Sequence, residues 1–400
     1  MDFAAAVKYL YGLGNEILTL KLGLRNTELL LAALDNPHHA FPAVQIAGTN
    51  GKGSTATMLD SVCRAAGIKS GLYTSPHLVS VTERIRIGGQ QISEADFARH
   101  ATTVREVSER LVASGEIEAM PTFFEQLTAI ALIAFRDAQI ELAILETGMG
   151  GRLDSTTAVN AGVVAITSIA MDHEKHLGDT IEKIAAEKAA IIRPGVTVVI
   201  GQQDPRALSV LLQRCEESGV QPVLAVPPSD SIRIGLRGRH QIDNAAIAFR
   251  LAESLSLPHE AIVAGLENAH HPGRLELIDN VLLDGAHNPS GAEALRDYLN
   301  EFGRRPLTIV FGAMSDKKLD RLGQIIFPLA DCLILTTIDN PRAASLDTLG
   351  EIASRYARGS VVKCETVAEA ARAAAGNTPR EGLICVTGSL YLIGEWKKLV

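Results

Sequence analysis

The chain has 400 residues, 46% apolar and 21% charged, with 38 basic against 46 acidic side chains and a formal net charge of −8. At ~150 residues per domain this is two or three domains with ample core, which excludes disorder, collagen-like repeats and a disulfide-stapled miniature. The acidic balance argues against a protein built to coat nucleic acid.

Five cysteines, Cys63, Cys215, Cys332, Cys364 and Cys385, are widely spaced with no C-x-x-C pair. They read as reduced core thiols of a cytosolic chain, not as a zinc site. No stretch reaches the ~18 uncharged apolar residues of a membrane span. The run 1–14, with Asp2 and Lys8 in an amphipathic pattern, lacks the basic leader of a signal peptide. One Trp, six Tyr and ten Phe leave the core to aliphatic side chains, which suits parallel sheets. The expectation is a cytoplasmic α/β protein with neither membrane nor nucleic-acid partners.

In chain order, β-rich runs at 42–47, 70–74, 140–146, 162–167 and 196–200 alternate with helical patterns at 54–66, 123–136 and 179–192. That alternation predicts a parallel sheet covered by helices on both faces. Past residue 270 the rhythm restarts, with strands expected at 281–284, 307–312, 332–336, 361–364 and 383–387, each followed by a helical segment. This is a second, smaller Rossmann-like unit. The turn-forming run His271, Pro272, Gly273 and Arg274 marks the boundary, giving domains over 1–271 and 280–400 around a hinge at 272–279. A loop is expected at 227–230 inside the first domain. Two such lobes leave a cleft, where ligands usually bind.

The first strand leads into Gly48, Thr49, Asn50, Gly51, Lys52, Gly53, Ser54 and Thr55, and these open a helix. The glycines let the backbone curl so that its N–H groups face inward, and the helix N-terminus adds positive potential. Lys52 can reach the β- and γ-phosphates of a nucleotide, and Ser54 or Thr55 can offer a hydroxyl to Mg²⁺. The generic G-x-x-x-x-G-K-[ST] pattern fails, because Ile46 holds its first glycine position and Gly53 intervenes before the hydroxyl. The order of strand, loop, lysine, hydroxyl and helix still reads as a nucleotide site and not as an ordinary turn.

This G-T-N-G-K-G-S loop resembles the phosphate-loop variant of the Mur ligase superfamily, whose members form amide bonds at the expense of ATP. Within it the chain resembles the folate branch, dihydrofolate synthase and folylpolyglutamate synthase, over nearly its whole length. With 47 residues ahead of Gly48 there is no room for the UDP-binding domain that the cell-wall Mur ligases carry there. The resemblance implies an α/β fold: a Mur-ligase-like P-loop ATPase domain with a parallel-rich sheet, and a smaller C-terminal Rossmann-like domain for glutamate ligation.

Glu146 stands where an apolar strand ends, a good place for a carboxylate to ligate Mg²⁺ beside a phosphate loop. The resemblance makes Glu146 a metal ligand, with Ser75 of Y-T-S-P-H-L as another and His173 of D-H-E-K-H-L-G at a second metal. Thr147 and Thr157 stand where the family usually has Val and Asn; neither is a ligand position. Lys188 needs its own argument. At about 100° per residue it falls on one helix side with Ile181, Ile184, Ala185 and Ile192, opposite Glu182, Lys183 and Glu187. Desolvation there lowers an amine pKa, and a neutral amine reacts with CO₂ to give an anionic carbamate. Matching E-K-A-A-I-I to the family's E-K-A-G-I carries that modification over to Lys188 as a metal ligand.

By the same resemblance Asn244, in G-R-H-Q-I-D-N-A, lies near the adenine, with His240 and Gln241 shaping that site. Arg274 of G-R-L-E can fork onto phosphate oxygens, and Asp284 of D-G-A-H-N-P meets the ribose side of ATP. His287 and Asn288 face the reaction centre, and G-A-M-S-D-K (312–317) and T-G-S-L-Y (387–391) line the glutamate side. In bifunctional bacterial members the residues matching Thr122, Phe124 and Asp154 form a dihydropteroate pocket. There an aspartate accepts hydrogen bonds from the pterin and an aromatic ring stacks on it.

The expected protein is a monomer that uses ATP, two Mg²⁺ ions and, by the resemblance alone, K⁺. It joins L-glutamate to dihydropteroate and to reduced folates through an acyl phosphate. The alternatives are a folylpolyglutamate synthase without the first activity, a P-loop kinase or NTPase, and a nucleotide-binding module without chemistry.

Overall fold

The computed structural model describes residues 1–14, 23–227 and 232–399. Of the loop expected at 227–230, only Pro227 falls among the described residues. The chain divides into two units: one of 1–76, 80–235 and 242–269, the other of 77–79, 236–241 and 270–400. Two short segments that precede the expected boundary, 77–79 and 236–241, thus belong with the C-terminal unit.

In the first unit, Phe3–Gly12 (α1), Arg25–Ala33 (α2), Ala43–Ala47 (β1), Lys52–Ala65 (α3) and Ser70–Tyr73 (β2) come first. Ile85–Ile87 (β3), Gln90–Gln91 (β4), Glu94–Ala113 (α4), Phe123–Asp137 (α5) and Leu142–Glu146 (β5) follow. Then come Val163–Ile166 (β6), Glu174–Leu177 (α6), Ile181–Ala189 (α7), Thr197–Ile200 (β7), Pro205–Glu217 (α8) and Pro222–Leu224 (β8). His240–Ser254 (α9) and His259–Glu267 (α10) complete the helices up to residue 269.

The eight strands form one sheet in the order β4-β3-β2-β5-β1-β6-β7-β8. It is parallel from β2 to β8, and β3 and β4 are added antiparallel at one edge. The central strands β1 and β5 are buried at every residue, as strands covered on both faces must be. Helices α1, α2, α4 and α5 enclose one core with Tyr73, Phe97, Phe135 and Leu145. A second core joins Val164 and Ile166 of β6 to Ile184, Ile192 and Leu211 around α7 and α8. Helix α3 lies on β1, β2 and β5 with α10 against it. A Cβ on Gly265 would collide with the Val62 backbone, so only glycine lets α10 come that close.

The second unit holds Glu276–Ile278 (β9), Val281–Asp284 (β10), Pro289–Phe302 (α11), Leu307–Phe311 (β11), Leu319–Ile326 (α12) and Cys332–Thr336 (β12). Leu346–Tyr356 (α13), Ser360–Cys364 (β13), Val367–Asn377 (α14), Leu383–Thr387 (β14) and Leu390–Lys397 (α15) complete it. The sheet order is β13-β12-β11-β14-β10-β9, parallel except for β9. The chain runs from β10 through β11 and β12 to β13 in one direction and then turns back to place β14 between β11 and β10; such reversals are where α/β sheets place their ligands. All five cysteines are free and buried, and burial pushes the Cys63 thiol up to about 12. Among the described residues no helix is long and apolar enough to cross a membrane.

Candidate functional site

Strand β1 feeds straight into the phosphate loop, and α3 begins at Lys52 with Gly51 at its cap, φ +90°. A side chain on Gly51 would run into the Asn244 carboxamide, and one on Gly48 into the Thr167 hydroxyl. Thr49 and Asn50 donate their N–H groups to Ser168 O at 2.9 and 3.2 Å, so the rim of the loop is tied down beyond β6. The N-terminus of α3, starting at Lys52, adds the positive end of the helix dipole beside this loop. Lys52 Nζ donates to Thr49 O at 3.3 Å. The Thr55 hydroxyl points to Asn244 O at 3.5 Å. Asn244, expected near an adenine, packs on the phosphate loop itself.

Glu146 ends β5 in register with Ile46 of β1, and its Oε2 accepts the N–H of Ser75 at 3.0 Å. Two of the expected metal ligands are therefore neighbours. His173 opens α6 in the left-handed region at φ +51°, its N–H donating to Asp172 Oδ1 at 2.9 Å. Such strain in a non-glycine residue is concentrated at functional sites. Among the described residues no group of three or more His, Cys, Asp or Glu could hold a metal ion by itself. Mg²⁺ does not require one, since it usually takes one or two carboxylates with substrate phosphates and water. Glu146, the Ser75 hydroxyl, His173 and an anionic adduct on Lys188 fit that donor chemistry.

Lys188 lies on the buried stripe of α7 with Ile181, Ile184 and Ala185, as the periodicity predicts. It is 3% exposed, and its Nζ donates to Gly48 O at 2.7 Å. Burial pushes its pKa down to about 7, and the Lys52 charge acts in the same direction against Asp172 and Asp154. At neutral pH a large fraction of the amine is thus uncharged and nucleophilic.

The glycine-rich loop after Glu146 closes on Asp154. Its Oδ2 accepts from Gly148 N at 2.8 Å and Met149 N at 3.0 Å; Oδ1 accepts from Thr156 N at 3.0 Å and Thr156 Oγ1 at 2.5 Å. A carboxylate has about four lone-pair positions, so the acceptor expected to meet a pterin is engaged by its own loop. Burial holds its pKa above the usual carboxylate value despite these bonds. Phe124 extends over this loop, close enough that a Cβ on Gly148 would strike its ring, and it meets Tyr73 at 5.8 Å. Phe123 is buried in the core, with the exposed ring of Tyr11 stacked on it. Thr122 caps α5 in a reciprocal box with Glu125.

In the second unit, Asp284 ends β10 and accepts the N–H groups of Leu275 at 2.9 Å and Ala286 at 3.0 Å. Burial pushes its carboxyl pKa up, opposed by the charges of Arg274 and His240. Glu276 accepts the Gly273 N–H at 2.8 Å and both its oxygens lie 2.8 Å from Lys397 Nζ, which pins the turn carrying Arg274. His287 Nδ1 donates to Gly285 O at 2.8 Å, so in the neutral ring Nε2 is the acceptor. Asn288 caps α11 by accepting from Gly291 N, ahead of Pro289. Three residues escape a motif-based reading: Gln45, Thr156 and Ser168, all hydrogen-bonded to the loops just described. A lone amide in the strand A-V-Q-I-A was the one available signal.

A family model described as the Mur ligase middle domain matches residues 46–226, and one described as the Mur ligase glutamate ligase domain matches 273–390. A probable bifunctional folylpolyglutamate synthase/dihydropteroate synthase of Halobacterium salinarum is 34% identical over 94% of this chain and 49% of its own, so the chain spans about half the length of that relative. The dihydrofolate synthase/folylpolyglutamate synthase of Bacillus subtilis is 32% identical over 95% of each chain. The structure of E. coli FolC in complex with DHPP and ADP has a TM-score of 0.89 and 30% identity, covering 100% of this chain and 97% of that one.

Proposed function

The chain belongs to the folylpolyglutamate synthase/dihydrofolate synthase branch of the Mur ligases, and from that premise we propose that it is an ATP-dependent amide ligase. It adds L-glutamate to dihydropteroate and to reduced folates. The observation that carries this reading is the Lys188 amine, buried and donating to the first glycine of the phosphate loop. A kinase or simple NTPase needs no such lysine.

The substrate carboxylate attacks the γ-phosphate of ATP, because a free carboxylate is a poor electrophile at neutral pH. The first turn of α3 and Lys52 hold the phosphates, and Arg274 adds a second cation to the charge spread over the transferring group. Ser54, Ser75, Glu146, His173 and carbamylated Lys188 would hold two Mg²⁺ ions, which when bound neutralise phosphate charge. Asn244 and Asp284 bound the nucleotide. The amine of glutamate then displaces phosphate from the acyl phosphate, its proton passing to the His287 Nε2, while Asn288 keeps that turn in place. Thr122, Phe124 and Asp154 shape the pterin end.

The protein works as a cytoplasmic monomer without nucleic-acid or membrane partners, and K⁺ supports its rate. A second reading, folylpolyglutamate synthase alone, draws on the Asp154 carboxylate being filled by its own loop. Purified protein given ATP, Mg²⁺ and L-glutamate, with either dihydropteroate or a reduced folate and with or without K⁺, decides between them. ADP and amide from both acceptors is the expected result. Product from the reduced folate alone leaves the second reading, and ATP turnover without glutamate defeats both.

A further inference from the structure

The strand that feeds the phosphate loop carries one fully buried polar side chain, Gln45, between the apolar residues Val44 and Ile46. Its Nε2 donates to Thr156 Oγ1 at 2.9 Å and to Thr157 Oγ1 at 2.7 Å. Each threonine passes the interaction on: Thr156 Oγ1 donates to Asp154 Oδ1 at 2.5 Å, and Thr157 Oγ1 donates to Gly151 O at 2.7 Å. Asp154 in turn takes the N–H groups of Gly148 and Met149. One amide thereby secures the 148–154 loop at two places.

The same loop is stitched to α7. Arg152 N donates to Glu187 O at 3.0 Å, and a Cβ on Gly151 would stand 3.0 Å from Lys188 O. Lys188 Nζ closes the circuit on Gly48, three positions along the chain from Gln45. Among the described residues the Gln45 Oε1 is buried without a hydrogen-bond partner. An unmet buried acceptor costs stability that an apolar residue at this position would keep. What recommends glutamine here is therefore what its amide holds.

We propose that Gln45 is a positioning residue. Through Thr156 and Thr157 it holds the 148–154 loop beneath Phe124 in the form that receives the flat ring of a pterin-bearing acceptor. The identity of the acceptor rests on the ligase reading above; the holding of the loop does not.

Gln45→Met keeps the length of the side chain and removes the donor. Thr157→Val keeps shape and removes the hydroxyl, and Thr157→Ser restores it. In Gln45→Met and Thr157→Val the KM for the acceptor rises about tenfold while that for ATP stays within about twofold, and Thr157→Ser returns the acceptor KM to within about twofold of the unsubstituted protein. In the same Gln45→Met protein, without substrates, amide hydrogen exchange at Gly148 and Met149 speeds up about tenfold. Equal rises in both KM values, or an acceptor KM that does not move, overturn the proposal, and so does unchanged exchange at the two amides. If the unsubstituted protein ligates no pterin, the ligase reading fails and the exchange experiment still judges Gln45. Should Gln45→Met fail to fold, the Thr157 pair decides by the same readouts.

Discussion

Lys188 donates from Nζ to the carbonyl oxygen of Gly48 across 2.7 Å, joining the last turn of α7 to the first residue of the phosphate loop. The bond is compatible with the proposed modification. A carbamate nitrogen keeps one hydrogen, so the donor to Gly48 survives while a carboxylate is added at its other side. On the proposed reading the lysine then adds an anion to the metal ligands that include Glu146, without giving up its anchor on Gly48.

Lys188→Ala should lower kcat by about 10³-fold, the scale of losing one charged group that acts on the transition state. Acetate or propionate, supplying a carboxylate in the vacated space, should restore part of the rate. Lys188→Arg, which forms no carbamate, should stay inactive. In protein stripped of CO₂, recovery on adding bicarbonate should be slower at pH 6 than at pH 8, because protonation below about 7 removes the neutral amine. Steady-state rates with and without the added acids check all of this.

The same group sets a stability slope. In unmodified protein the folded Lys188 titrates at about 7 and the unfolded one at 10.5. Between those values the unfolded chain binds the extra proton, so unfolding free energy rises with pH by about 1.4 kcal/mol per unit. Below about pH 7 both states are protonated and the whole penalty of burying the charge is in force. Lys188→Met should therefore stabilise CO₂-free protein at pH 7 by roughly 4 kcal/mol and make little difference near pH 10. Denaturant unfolding at the two pH values measures it.

Gly51 has φ +90° and lies against the Asn244 carboxamide. Gly51→Ala should cost about 1–3 kcal/mol through backbone strain alone, and it should also displace Asn244. ATP affinity is expected to fall more than tenfold while the Tm drops by only a few degrees. Titration calorimetry and thermal melts on the same sample separate the two effects.

How much of this could be read in the sequence depends on the kind of signal. Strands β1, β5, β6 and the parallel strands of the second unit were legible because each is a short apolar run bounded by turn residues. β3 and β4 were not, since I-R-I and Q-Q offer no run at all and are held by pairing to β2. Lys188 stood out as a cation in an apolar stripe, a pattern local to one helix. The engagement of Asp154 could not be read, because its four donors converge only when residues 148–156 fold on themselves. Gln45 was passed over as one of five strand residues, its threonine partners lying more than a hundred residues away. The segments 77–79 and 236–241 join the second unit through contacts that no local composition announces.

Asp154→Ala removes the acceptor for three backbone N–H groups and the Thr156 hydroxyl at once. Leaving buried donors unmet costs about 1–3 kcal/mol each before relaxation, so a loss of roughly 3 kcal/mol overall is expected. Released, the loop no longer presents Gly148 beneath Phe124. Dihydropteroate ligation should fall further than glutamate addition to a reduced folate. Equal losses would mean that the loop serves the phosphate and metal groups alone, and paired assays on one preparation tell the two apart.

Lys397 reaches from α15 to Glu276, which also accepts the Gly273 N–H next to Arg274. The pair is largely shielded, with side chains 22% and 10% exposed, so its geometry is better held than that of an open surface bridge. Lys397→Met leaves Glu276 charged and half its acceptor capacity unmet, and stability should fall by about 1–2 kcal/mol. The more telling effect is on function. Freed from Lys397, Glu276 no longer fixes the turn at Gly273, and Arg274, the proposed second cation for the phosphates, loses the backbone that holds it. The KM for ATP is expected to rise severalfold with the acceptor KM unchanged, the reverse of the pattern expected for Gln45→Met. Glu276→Gln, which keeps the Gly273 contact through its amide oxygen, should retain most of the affinity. A Lys397→Met protein that melts earlier but keeps the original KM for ATP would reduce this clasp to a strut.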